Sequence, residues 1–468
     1  MNRTMVPNSV GNTVQPGLLC SGAFGCALRR LADAANATLD LTAMYMDLLG
    51  TADRKLYDAS EMKAFGAQGG SHVYAALKRA AQRSVRIRIL LGTLDNPLNS
   101  TEVRSLLQYP SVQARTWEPK KWYDGGIMHL KLWHADGIAA YLGSANADWK
   151  SLAQVKELGV LINGSVAGDG PGATDDLGRI FEVFWEWAAP SLPADTVNAV
   201  STAFQTTLTV PPWDPAVPAA QRLPAPFALG SNGPLAALTS QEAQLQLCDD
   251  HSAATASANA TAFLSVSPGG AQAAGRTADI DALLYTIYSA TSTLSLSVMD
   301  FLPATAYGGG HGGAPAWWPA LVDAILAVAY AKPVRVRLLV SHWEHTSRLQ
   351  LDAVRQLAGG LSACSHYHSK WDQPCAGSLE VGVYEVPGWN ETTSAYAKTA
   401  KAWPSYTRVN HAKYIVSDSR LNIGTSNWEW GYFHQTAGAS YNTNASALIA
   451  AAQAVFDADW NSSYTWRL

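Results

Sequence analysis

A chain of 468 residues, 48% hydrophobic and only 15% charged, can bury cores for two domains and lacks the composition of a disordered protein. Its formal charge of -4 and pI near 6.3 exclude a protein that coats nucleic acid through a broad basic face, so any such contact is local to a groove. The 11 histidines count as neutral in that balance, and near pH 5 the exposed ones charge and turn it positive.

Residues 1–25 read as an irregular lead-in rich in Asn, Gly, Pro and Ser. The best apolar candidate for a membrane span, Gly17 to Ala35, is broken by Arg29 and Arg30, so the sequence as given predicts no spanning helix. Cys26 to Asn36 has helical spacing, and Thr38 to Leu48 alternates into an apolar strand. Ser71 to Arg83 reads as a helix and Val85 to Leu91 as a strand, followed by a helical Asn99 to Tyr109 and an extended Val112 to Trp117. A motif strand from His129, a strand at Glu157 to Ile162 and a helix at Thr174 to Ala188 complete a first unit, residues 26–188.

Residues 189–247 carry a dense run of prolines, from Pro190 to Pro234, which disfavours regular structure and marks a connector between halves. Beyond it, residues 248–468 repeat the order. A strand at Ala262 to Val266, a helix at Ile280 to Ala290 and a strand at Thr293 to Met299 lead to a helix at Trp317 to Ala331. The strand Val334 to Val340 then echoes Val85 to Leu91. The chain is an internal duplication of class α/β, two sandwich halves facing each other about a pseudo-twofold axis.

Each half carries one motif. His129, Lys131 and Asp136 precede the turn Gly143-Ser144-Ala145-Asn146, and His411, Lys413 and Asp418 precede Gly424-Thr425-Ser426-Asn427. On an extended segment a histidine and a lysine two apart project to one side, pairing an imidazole that can attack or donate a proton with a fixed cation for a phosphate oxygen. One H-x-K-x-x-x-x-D arises by accident in roughly one chain in fifty of this length, and two with matching turns do not. Such a pair supplies what phosphodiester cleavage needs: a nucleophile, charge stabilisation and an acid for the leaving oxygen. No metal or cofactor is called for. Lys131, Lys413, Asn146 and Asn427 are expected to grip the equatorial oxygens, with Ser144 and Thr425 adding hydroxyl contacts. Asp136 and Asp418, far along the strand from the histidines, are expected to be scaffold.

This duplicated motif resembles that of the phospholipase D superfamily, and the runs Tyr141 to Val160 and Arg408 to Phe433 are most similar to its lysosomal 5′ exonuclease branch. The resemblance implies cleavage of single-stranded DNA or RNA from the 5′ end to 3′-mononucleotides through a phosphohistidine, a homodimer, and an N-terminal signal anchor. Its absence here leaves a trimmed lumenal fragment or a divergent start. The same residues would serve a phospholipid hydrolase or transphosphatidylase on lysosomal glycerophospholipids. A catalytically dead relative kept for binding is disfavoured because no motif residue is missing. In the family a carboxylate orients a catalytic imidazole, and Glu157, 28 residues after His129, takes that place, whereas the counted position after His411 is Ala439. On that ground His129 is assigned as nucleophile and His411 as acid.

Eight N-x-S/T sequons, at Asn2, Asn36, Asn99, Asn163, Asn259, Asn390, Asn444 and Asn461, exceed the roughly three expected by chance and favour a secretory or lysosomal lumen. Cys364 should pair with Cys375 across a short loop, and Cys20 or Cys26 with Cys248. A zinc knuckle from those cysteines with His366 and His368 fits no common spacing. His134 reads as a packed histidine, and Trp149, Trp428, Trp430, Tyr432 and Phe433 mostly as core with base stacking as the competing role. His342 and His345 divide evenly between a surface pair and a substrate contact.

Overall fold

The computed structural model describes residues 23–94, 96–163, 173–195, 197–198, 229–230, 233–234, 238–239, 242–246, 261–271, 276–305, 316–365, 374–387, 389 and 403–468. Its main strands are β1 (Thr38–Ala43), β2 (Arg86–Leu91), β3 (Val112–Thr116), β4 (Leu132–Ala135), β5 (Ala139–Gly143), β6 (Gly159–Asn163) and β7 (Glu242–Gln246) in a first sheet. A second sheet holds β8 (Thr261–Ser267), β9 (Thr293–Val298), β10 (Arg335–Ser341), β11 (Ser378–Tyr384), β12 (Tyr414–Ser417), β13 (Leu421–Gly424), β14 (Gly438–Thr443) and β15 (Thr465–Arg467). The principal helices are α1 (Ala23–Ala34), α2 (Gln68–Gln82), α3 (Ala173–Trp187), α4 (Asp279–Ser289), α5 (Ala320–Ala331), α6 (Arg348–Ala358), α7 (Trp430–His434) and α8 (Ser446–Trp460).

The duplication is visible in the strand order. The first sheet runs β7-β6-β5-β4-β1-β2-β3 and the second β8-β14-β13-β12-β9-β10-β11-β15, so each contains the same six-strand path. In each, three strands are parallel (β1, β2, β3 and β9, β10, β11) and the motif strand joins antiparallel to the first of them. The registers match as well, Thr38 opposite Arg86 and Thr293 opposite Arg335. β7, from the expected connector, pairs with β6, whereas residues 199–228 of that connector lie outside the described residues.

The two echoed strands each bury one arginine on an otherwise apolar run. Arg88 on β2 is ion-paired to Asp40 at 2.7 Å and lies over the rings of Phe181 and Trp185 of α3. Arg337 on β10 is ion-paired to Asp457 at 2.8 Å and lies over Phe456 and Trp460 of α8. A buried guanidinium is tolerable only when paired and stacked; the copies share the helix acid, Glu182 of α3 for Arg88 and Asp457 of α8 for Arg337, but differ on the neighbouring strand, where Asp40 faces Arg88 and Ser295 faces Arg337. His134 is packed beside this first network, 3.7 Å from Asp40. One apolar core is shared between halves, joining Leu132, Leu142 and Phe181 to Tyr414, Ile423 and Phe456, while separate cores lie behind β1–β2 and β9–β10. Apolar burial across the seam fixes the halves against each other and thereby the crevice between the motif strands.

Among the described residues no helix is long and apolar enough to cross a membrane. Cys364 is disulfide-bonded to Cys375, as their spacing predicts. Cys20, Cys248, His366 and His368 lie outside the described residues.

Candidate active site

Both motif histidines stand three residues before their strands rather than on them, because each leaves its own ladder to bond the opposite half. The His129 N–H donates to the Ala437 carbonyl at 3.1 Å and the His411 N–H to the Lys156 carbonyl at 2.7 Å. Reciprocal bonds run from Ala437 N–H to the Ile127 carbonyl and from Lys156 N–H to the Val409 carbonyl. These paired bridges bring the imidazole centroids to 6.4 Å, close enough for one phosphate to sit between them. Both rings line a cavity of about 1110 Å³ whose walls come from both halves.

Lys131 and Lys413 are almost wholly buried, and each ammonium donates to the carbonyl of its own histidine, at 2.7 Å for Lys131. Burial, then the opposite lysine, pulls the Lys131 ammonium well below its ordinary range. Burial likewise brings Lys413 down to about 7, with Glu157 and Asp300 opposing. Both shifts disfavour the charged ammonium in the buried site, and a phosphodiester anion bound beside them favours it. Burial, reinforced by Lys131 and Lys413, holds His129 well below the usual imidazole range. Burial lowers His411 too, but Glu157 pushes back.

Glu157 corrects the sequence-based assignment. Its carboxylate meets the His411 Nδ1 at 2.8 and 3.0 Å, across the pseudo-twofold from the motif it follows in sequence. Burial would raise its pKa, but the His411 charge and hydrogen bond outweigh that and keep it low. His129, by contrast, has no carboxylate partner, and its pKa is raised only by the Thr425 backbone. The true counterpart of Glu157 is Gly438 rather than Ala439, since Gly159 pairs with Gly143 as Ser440 pairs with Gly424. The asymmetry is enforced sterically: a Cβ at Gly438 would lie 2.3 Å from Ser426 Oγ and 2.8 Å from Ser267 Oγ.

The remaining expected contacts divide. Ser144 Oγ donates to the Leu158 carbonyl at 3.0 Å and accepts its N–H at 2.9 Å, and Thr425 Oγ1 accepts from Ala439 N–H at 3.1 Å. Neither lines the cavity, and nor do Lys131, Lys413 and Asn427, so of the expected phosphate contacts only Asn146 stands on its wall; the two hydroxyls instead hold the turns to Leu158 and Ala439. Asn146 lines the cavity with Oδ1 unpartnered, while Asn427 is drawn onto Asp300 at 2.8 Å and the Tyr432 hydroxyl at 3.3 Å. Asp136 accepts the N–H groups of Asn36, Ala37 and Thr38, and Asp418 those of Thr291, Ser292 and Thr293, each tying a motif strand to the start of β1 or β9.

Of the aromatics, Trp149, Trp428 and Phe433 are core, Trp430 stacks on His434, and Tyr432 reaches the cavity, its ring 5.0 Å from that of His129. His342 pairs with Glu385 at 2.7 Å, whereas His345 lines the cavity. Sequence reading assigned no role to Tyr45, Asp148, Asp300, Trp343 and Tyr406, all cavity-lining. Asp300, carried up to about 6 by burial, lies two residues beyond β9 as Tyr45 lies two beyond β1, and a carboxylate just past a strand end was the available signal.

Two equivalent α/β lobes that each set a histidine on one crevice, with a buried lysine bonded to that histidine's carbonyl, define a phosphodiesterase built by duplication. Residues 32–185 match the model for the cardiolipin synthase PLD-like domain, and residues 232–371 the model for the PLD3/4 PLD-like domain. The chain is 31% identical over 434 residues to phospholipase D Z of Dictyostelium discoideum, covering 92% of this chain and 83% of that one. It is 31% identical over 439 residues to the 5′-3′ exonuclease PLD3 of Rattus norvegicus, covering 93% and 74%. The phosphatidylserine synthase of Haemophilus influenzae shares the fold, with a TM-score of 0.54 at 11% identity over 96% of this chain and 86% of that one. The chain belongs to the phospholipase D superfamily and is a phosphodiesterase.

Proposed function

We propose that this enzyme is a 5′ exonuclease of single-stranded nucleic acid that releases 3′-mononucleotides through a phosphohistidine. The observation that carries this reading is the facing of His129 and His411 at 6.4 Å on one two-walled cavity, supported by the likeness to PLD3. His129, without a carboxylate partner and kept neutral by burial and two ammonium groups, attacks phosphorus in line. The N–P bond forms as the P–O5′ bond breaks, and His411, which Glu157 helps to hold a proton, gives that proton to the departing O5′. Water, deprotonated by the now neutral His411, then attacks phosphorus, frees His129 and yields the 3′-mononucleotide. Glu157 thus supports the original division of roles for the opposite reason, by making His411 the better acid.

The test is incubation with single-stranded DNA and RNA beside labelled phosphatidylglycerol, with and without an alcohol acceptor. Stepwise 3′-mononucleotide release from the 5′ end is expected. Exclusive cleavage or transfer of the phosphatidyl group would overturn the nuclease reading in favour of the phospholipid one. Exposure of Asn36, Asn99, Asn444 and Asn461 supports a glycosylated lumenal enzyme, to be checked by a glycosidase-sensitive mass shift of the protein from its own cells.

A further inference from the structure

On the wall of the cavity that holds the two histidines, the C-terminal half presents an aromatic stack that the cleavage chemistry does not use. The rings of His345 and Tyr406 lie nearly parallel, 4.4 Å apart at 25°, and Trp343 meets His345 edge-on at 4.7 Å. All three line the cavity that holds His129 and His411. Trp343 and His345 are largely enclosed, but Tyr406 is 58% exposed although one of its faces is covered by His345.

Tyr406 is also held at φ +60°, the left-handed region that a bulky L residue rarely adopts. Its N–H donates to the Glu344 carboxylate at 3.0 Å, which pins the strained turn. A large ring left in water on a strained backbone carries two costs that packing does not return, and such residues concentrate at ligand sites. A ring that already completes a parallel stack on one face offers the other to a further planar group at the same spacing. An acyl chain draws no benefit from coplanarity, whereas a nucleobase does.

We infer that Tyr406, backed by His345 and Trp343, is the stacking platform for a nucleobase near the scissile phosphate. This rests on the nuclease reading and adds where the enzyme grips a base irrespective of its identity. The test compares wild type, Tyr406→Ala and Tyr406→Phe on an oligothymidylate and on the same oligomer with its two 5′-terminal bases removed. Wild type should favour the complete oligomer. Tyr406→Ala should lose on the order of tenfold in kcat/KM on it, keep its rate on the abasic one, and so erase the preference, while Tyr406→Phe retains it. Equal losses on both substrates, or none on either, would overturn the platform. A wild type that degrades neither oligomer but cleaves phosphatidylglycerol would remove the nuclease reading itself.

Discussion

Replacing Glu157 with glutamine removes a charge while leaving an amide oxygen able to accept the His411 Nδ1–H, so tautomer and ring orientation persist. The effect is therefore electrostatic. Hydrogen bonds to charged groups contribute about 1.5–3 kcal/mol and neutral ones about 0.5–1.5, a difference of about 1–1.5 kcal/mol. At about 1.36 kcal/mol per pKa unit, the His411 pKa falls by about one unit. Glu157 raises that pKa, so without its charge His411 releases its proton at lower pH. The alkaline limb of the kcat/KM profile should then move about one unit toward acid, with about a tenfold loss above it. The acid limb, set by protonation of His129, should stay in place. The assay is a full pH profile of both proteins on one oligonucleotide, with thermal unfolding as a control for folding. A shift of the acid limb with the alkaline limb fixed would refute the reasoning, since it would mean that Glu157 governs His129.

Lys413→Met removes a charge that holds the His129 pKa down, so the acid limb should move toward neutral and kcat should fall by about 10²–10³-fold; the pH profile on the same oligonucleotide checks both. Asp136→Asn should cost about 1–2 kcal/mol of stability at neutral pH by weakening bonds to three N–H groups, with turnover per folded molecule unchanged. Burial opposes ionisation of Asp136, but those bonds win and hold its pKa low. Its contribution is thus complete above about pH 4 and lost as pH falls through the depressed value, so urea titrations of wild type and variant should converge in acid. Gly438→Ala forces a methyl against Ser426 and Ser267 and should destabilise by about 1–3 kcal/mol in the same titration.

Much of the fold was legible because it was written twice. The strands Val85 to Leu91 and Val334 to Val340 repeat a pattern with arginines in the same places, and the two sheets repeat one order. The histidine pair was legible for the same reason. Glu157 was misread because sequence distance ties it to His129, whereas the pseudo-twofold delivers it to His411, and only strand register identifies Gly438 as its counterpart. The strand period predicted His129 and Lys131 on a regular ladder, but bonds to Ala437 across the seam take priority. Tyr406 stayed hidden because its place on the cavity depends on a left-handed backbone that no local signal around Ser405-Tyr406-Thr407 announces.

The most direct test is rapid quenching of turnover on an oligonucleotide labelled at its internal phosphates, followed by mapping of the labelled peptide under conditions that preserve phosphohistidine. Label should reside on the peptide containing His129, persist longer in His411→Asn, and vanish in His129→Asn. Label on the His411 peptide, or full turnover by either variant, would contradict an enzyme in which two histidines from duplicated halves act in fixed roles on one phosphorus.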